Sequence, residues 1–321
     1  MTTYKEIFGK YVKNYSSDPS SDIEGQVWYN TTSGTFKSQI SLGAVWASGG
    51  NMGTARRTAA GAGTQTVGLA FGGYTTTWVA NTEEYDGSAW TAGGSLTTAR
   101  YVIGGTGTQT AGLAFGGYDG ASTGATEEYD GSAWTNGGSL ATVRFGLGGA
   151  GIQTAALAFG GALDPGRTSA TEEYDGSAWT GGGSMSTARA YMAGCGTQTA
   201  GLGAGGSTTV NVNNTEEYDG ASWAAGGNLN TTRRYLGGCG TQTAGLAFGG
   251  FITAAPGVAN TEEYDGSNWS NSTNLTTARY GLAGAGIQTA GLAIGGITTV
   301  VSNATEEYTD PTLAVQTITT S

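Results

Sequence analysis

Four residues, Thr-Glu-Glu-Tyr, are written six times along this chain, at Thr82–Tyr85, Thr126–Tyr129, Thr171–Tyr174, Thr215–Tyr218, Thr261–Tyr264 and Thr305–Tyr308. The steps between copies are 44, 45, 44, 46 and 44 residues. A period of this size marks one supersecondary unit copied in series, which buries its apolar face only by stacking on its neighbours. Other words keep the same register. The first five copies continue with Asp-Gly and then a tryptophan, at Trp90, Trp134, Trp179, Trp223 and Trp269, and Trp46 lies 44 residues before Trp90. A Gly-Gly pair recurs from Gly72-Gly73 to Gly295-Gly296, and an arginine stands at Arg56, Arg100, Arg144, Arg189, Arg233 and Arg279.

Each copy divides into four short segments, as in Tyr101–Gly107, Thr110–Gly116, Thr126–Tyr129 and Ala133–Thr135. None shows a helical apolar period, and Asp-Gly between the third and fourth is a strong hairpin signal. Four strands per copy and six copies predict an all-β fold, a six-bladed β-propeller of four-stranded blades. The first two segments are rich in Gly and Ala, as crowding near a central axis requires. Trp46 belongs to a fourth strand without its own first three, whereas the last copy ends at Tyr308 without a matching tryptophan. The strand around Trp46 is therefore expected to complete the last blade. The alternating tail Leu313–Thr320 is the competitor for that place.

Gly-Gly ending the second strand, tyrosine in the third, tryptophan in the fourth and arginine before the next first strand resemble the kelch family of β-propellers. The acidic Thr-Glu-Glu-Tyr and the uniformity of the copies depart from that family. The division expected from these marks is a docking arm and linker over 1–25, a β-hairpin leader over 26–43, the propeller over 44–308 and a tail over 309–321.

Composition removes most enzyme classes. Histidine is absent, which excludes His-based nucleophile systems and the usual Zn, Cu and non-haem Fe sites. With 13 Lys+Arg against 24 Asp+Glu the net charge is -11, unsuited to a phosphate backbone. No apolar run reaches the length of a membrane span, and Met1–Lys10 has no apolar signal core. Six Glu-Glu pairs, five repeat aspartates and six repeat arginines account for the whole net charge, and the expectation is structural ion pairing. One Glu of each pair should reach between blades, with an arginine of its own or the next blade as partner. Cys195 and Cys239 share one repeat slot with Ala62, Thr106, Ala150 and Ala285, so they read as small packing residues. No catalytic residue, metal or cofactor is expected.

The copies differ most after Gly-Gly, where the connection runs 8 to 10 residues: 74–81, 118–125, 162–170, 207–214, 251–260 and 297–304. In a four-stranded blade these connections share one face, where repeat proteins place recognition. The candidate contact residues are Tyr74, Trp78, Tyr118, Asp119, Asp164, Arg167 and Phe251. Aromatics with scattered polar groups suit sugar rings or a protein partner.

The first 43 residues differ from the repeats. Tyr4–Asn14 reads as a short helix, Ser16–Ser21 as linker, and Glu24–Asn30 with Thr35–Lys37 as a hairpin. The run Gly25-Gln-Val-Trp-Tyr-Asn30 resembles segments at the starts of tailed-phage tail-fibre and other virion proteins. That resemblance implies a non-enzymatic virion component, fibre-like or surface-decorating, located on the particle. It implies docking on other virion proteins through the arm, and a host surface glycan or receptor, or another virion protein, as ligand of the loop face; the oligomeric state stays open, a homo-oligomer among the expectations. The alternative expectations are a cellular kelch-type scaffold for a protein partner and a glycan-active enzyme.

Overall fold

Turn residues cut the repeat into strands of three to five residues, too short to be anything but edges and rungs of small sheets. The computed structural model describes residues 12–19, 26–41, 43–253, 257–310 and 313–318, and among these there is no helix. Each copy yields one four-stranded antiparallel sheet, an arrangement compatible with a β-propeller. In the first, Ala60–Gly63, Gly68–Phe71, Thr82–Tyr85 and Trp90–Gly93 lie side by side in chain order. The order recurs from Gly104–Gly107 to Trp134–Asn136, from Gly148–Ile152 to Trp179–Gly182, from Ala193–Thr197 to Trp223–Ala225 and from Gly237–Gly240 to Trp269–Ser272. In the sixth sheet, Ala283–Ile287, Ala290–Ile294 and Thr305–Thr309 take Val45–Ser48, the strand of Trp46, as their fourth member.

The chain falls into two compact units, Met1–Val45 with Asp310–Ser321, and Trp46–Thr309. In the smaller unit, Val27–Asn30 pairs antiparallel with Thr35–Ser41 across a turn closed by Gly34 at φ +68°. Leu313–Thr317 pairs with the other edge of Thr35–Ser41. The tail thus joins the leader's sheet and not the sixth repeat. Lys13–Tyr15 is a strand parallel to Val27–Asn30, so the helix expected over Tyr4–Asn14 fails at its end, and residues 1–11 lie outside those described. Trp28 is fully buried and, with Asn30, donates to Asp18, which ties 16–19 back onto the hairpin.

In the larger unit, chemistry identical in every copy joins each sheet to the next. The tyrosine hydroxyl donates to the second Glu of the preceding sheet, as in Tyr129 to Glu84, Tyr174 to Glu128 and Tyr218 to Glu173. The tryptophan Nε1 donates to the Thr of the preceding sheet, as in Trp134 to Thr82 and Trp179 to Thr126. The glutamine of the first turn donates to two carbonyls of that sheet, as in Gln109 to Gly68 and Tyr85. The sixth sheet meets the first through the same links: Tyr85 to Glu307, Trp90 to Thr305, and Gln65 to Gly291 and Tyr308. Trp46 donates to Thr261, so the strand from the N-terminal side carries its link as well.

The first Glu does something else. It faces inward on its own sheet and meets the repeat arginine, from Arg56–Glu83 at 3.1 Å to Arg279–Glu306 at 3.1 Å, with every arginine fully buried. The Glu that reaches between sheets meets a tyrosine instead of an arginine, while the other Glu takes the arginine of its own copy, one of the two partners expected. The cause is alternation along the strand: the first Glu and the Tyr share one face, and the second Glu points to the other. Each arginine also donates to backbone carbonyls, as Arg144 does to Gly160, Ala170 and Ala158. Burial draws the guanidinium below its ordinary range, which the paired carboxylate opposes.

The second strands are buried on both faces, and their Phe packs on the next sheet's tryptophan: Phe71 on Trp134 and Phe159 on Trp223, each at 4.8 Å between centroids. The first strands of successive sheets approach so closely that some of their positions admit only glycine. A Cβ on Gly284 would lie 2.5 Å from the Gly238 carbonyl oxygen.

Candidate functional site

The repeat arginine is followed in each copy by two residues that differ among copies: Arg57-Thr58, Tyr101-Val102, Phe145-Gly146, Ala190-Tyr191, Arg234-Tyr235 and Tyr280-Gly281. The first residue of each pair bridges the residue just after Gly-Gly in its own copy: Arg57 with Tyr74, Tyr101 with Tyr118, Phe145 with Ala162, Ala190 with Ser207, Arg234 with Phe251 and Tyr280 with Ile297. Two variable segments of each copy thereby meet on one edge.

The second residue of each pair has left-handed backbone, with φ between 50° and 62° at Thr58, Val102, Gly146, Tyr191, Tyr235 and Gly281. That turn aims one N–H and one C=O along the series. Val102 donates to Thr58, Gly146 to Val102, Tyr191 to Gly146, Tyr235 to Tyr191, Gly281 to Tyr235 and Thr58 to Gly281. These six hydrogen bonds form a ring that returns to its starting residue. Gly146 is glycine for a second reason, because a Cβ there would sit 2.5 Å from the Tyr191 ring.

The side chains above this ring are mostly aromatic. Trp78 stacks on Tyr101 at 6.1 Å, and Tyr101 meets Tyr74 at 5.5 Å and Tyr118 at 5.7 Å. Tyr118 continues to Phe145 at 5.5 Å. Trp78 is 39% exposed, the one tryptophan of the described residues on the surface. Tyr191 and Tyr235 stack at 4.3 Å, and burial raises the Tyr235 hydroxyl above its ordinary range. A cavity of about 320 Å³ opens beside them, lined by Arg57, Thr58, Tyr101, Val102, Arg234, Tyr235, Phe251 and Tyr280. Arg57 lies over Tyr74 at 5.0 Å and Arg234 over Phe251 at 5.2 Å.

The seven sequence candidates separate accordingly. Tyr74, Trp78 and Tyr118 come together around Tyr101, and Phe251 lines the cavity. Asp119 sits in a turn after Tyr118, and its charge supports the buried Arg100. Asp164 is exposed in the loop between Ala162–Leu163 and Gly166–Arg167, and Arg167 donates to Ser207 Oγ at 3.2 Å. Neither lines the cavity. Sequence reasoning missed Tyr101, Tyr235, Tyr280, Arg57 and Arg234. Their signal was variation among copies immediately after a fixed arginine.

Smaller cavities of about 90, 100 and 140 Å³ are lined by the ring residues and by the first strands. Cys195 and Cys239 lie in the last of these as free thiols, and burial pushes Cys195 up to about 12, far from a reactive thiolate. Among the described residues no group of three acidic or thiol side chains is placed to hold a metal ion. No helix among them is long and apolar enough to cross a membrane. No family model matches this chain, and no curated protein matches it.

Proposed function

We propose that the chain is a non-catalytic recognition protein, a closed six-bladed kelch-like β-propeller that presents a glycan-binding face on a bacteriophage particle. The observation that carries this reading is the meeting of both variable segments of every copy on one edge, where they build an aromatic surface upon otherwise uniform units. Surface aromatics offer flat apolar faces to sugar rings, and their hydroxyls offer hydrogen bonds to sugar hydroxyls. The return of the inter-sheet links from the sixth sheet to the first supports closure. The Gly-Gly, Tyr, Trp and Arg marks support the kelch likeness, and Gly25–Asn30 supports the virion. Docking on other virion proteins through residues 1–25 belongs to the same reading.

A glycan array probed with the whole protein tests the face. Binding is expected, lost in Trp78→Ala and Tyr118→Ala, with no release of cleaved product. Cleavage would transfer the site to a glycan-active enzyme. Immunogold electron microscopy tests the location: label on particles is expected, and label confined to uninfected cells would replace the virion with a cellular scaffold.

A further inference from the structure

The geometry points to a carboxylate-bearing sugar as the ligand of the cavity between Arg57 and Arg234, an inference that rests on the glycan-binding reading above. From residue 44 to residue 310 the chain contains nine arginines and no lysine. Six of the nine are fully buried and paired with the first Glu of their own sheet. Three remain: Arg167, which donates to Ser207, and Arg57 and Arg234, which line one cavity. Among the described residues no Asp or Glu lines that cavity. In a protein of net charge -11, whose six repeat arginines are each neutralised by a paired Glu, an anion meets here a local positive centre.

Both guanidinium groups are held in place by aromatic faces. Arg57 lies over Tyr74, and Arg234 over Phe251 and Tyr235, so little side-chain freedom is left to lose on binding. The Arg234 Nε is buried and has no hydrogen-bond partner among the described residues. A planar guanidinium matches the two oxygens of a carboxylate. The rest of the lining includes the rings of Tyr101, Tyr235, Tyr280 and Phe251, which suit the apolar face and hydroxyls of a pyranose. At 320 Å³ the cavity lies at the small end of ligand sites, about 300–1,000 Å³.

An acidic peptide fits less well. Extended peptides gain affinity from main-chain hydrogen bonds along a free strand edge. The backbone N–H and C=O groups of Thr58, Val102 and Tyr235 in this lining are already spent on the hydrogen-bonded ring.

Titration calorimetry of the full chain with tetragalacturonate against neutral galactotetraose, and with sialyllactose against lactose, tests this. At least one acidic sugar is expected to bind tenfold or more tighter than its neutral counterpart, with the preference shrinking as salt rises. Arg57→Met and Arg234→Met, which keep most of the stem, are each expected to reduce that preference at least tenfold. Equal affinities within both pairs would overturn the acidic ligand but leave the glycan reading standing. No binding to any saccharide, there or on the array, would remove both. Tighter binding of tetraglutamate, lost in the same variants, would replace the sugar with an acidic peptide. The wild-type comparison stands even if a variant fails to fold.

Discussion

Tyr129 and Tyr101 come from the same copy of the repeat. Tyr129 is fully buried, donates its hydroxyl to Glu84 of the preceding sheet at 2.5 Å, and has a tyrosine counterpart in every copy. Tyr101 is half-buried above the hydrogen-bonded ring, and its counterparts are Arg57, Phe145, Ala190, Arg234 and Tyr280. A side chain that satisfies a half-buried carboxylate of the neighbouring sheet has only one workable chemistry, because the alternative is a polar group left without that partner. A side chain that leans outward over a backbone ring has no such partner to satisfy. Its identity is free, and the surface that results is a composite of arginine, tyrosine, phenylalanine and alanine at one repeat position.

The largest test of this contrast is Trp134→Ala. Trp134 is buried against Phe71 and Tyr129 and donates to Thr82, so truncation should cost about 3–5 kcal/mol in urea unfolding. Unchanged stability would mean that the sheets do not depend on this packing. Next comes Tyr174→Phe, which leaves Glu128 without its hydroxyl partner and should cost about 1.5–3 kcal/mol, as for hydrogen bonds to charged groups.

The same hydroxyls predict an alkaline limit. Burial first, and then the neighbouring Glu, push Tyr85, Tyr129, Tyr174, Tyr218 and Tyr264 up to about 12 from an ordinary 10.0. Because the folded value is the higher one, their stabilisation is whole below pH 10 and is lost as pH rises towards 12. A denaturant midpoint that stays level from pH 9 to 12 would contradict this. The smallest effect on folding should be Trp78→Ala, within about 0.5 kcal/mol of the parent, since the indole is exposed and outside the repeat's links. A loss of several kcal/mol there would erase the distinction between the two classes of residue.

Much of the repeat was readable because each contact is made six times with the same residues. Thr-Glu-Glu-Tyr, the tryptophan series and the placement of the Trp46 strand beside Thr305–Thr309 follow from that repetition. The roles of the two Glu residues were half legible: alternation separates them, but only the packed sheets show which one meets tyrosine. Tyr101 was hidden for a local reason. The run Tyr101–Gly107 reads as one strand, whereas the strand begins at Gly104, because Val102 turns left-handed at φ +53°. Only Gly146 and Gly281 advertise that turn by residue type, since Thr58, Val102, Tyr191 and Tyr235 occupy it without glycine. Among the loop candidates, Tyr74, Trp78, Tyr118 and Phe251 fall where aromatics gather, while Asp119, Asp164 and Arg167 find local tasks or solvent.

Periodicity, turn residues and absent histidine are properties of the linear chain. They determined the short strands, the number of copies and the lack of imidazole chemistry, because each depends on neighbours in sequence or on composition. The cavity between Arg57 and Arg234 joins residues from opposite ends of the repeat series, and the ring beneath it joins Thr58 to Gly281. No local signal links such positions. They meet because the links that join each sheet to the next also join the sixth sheet to the first.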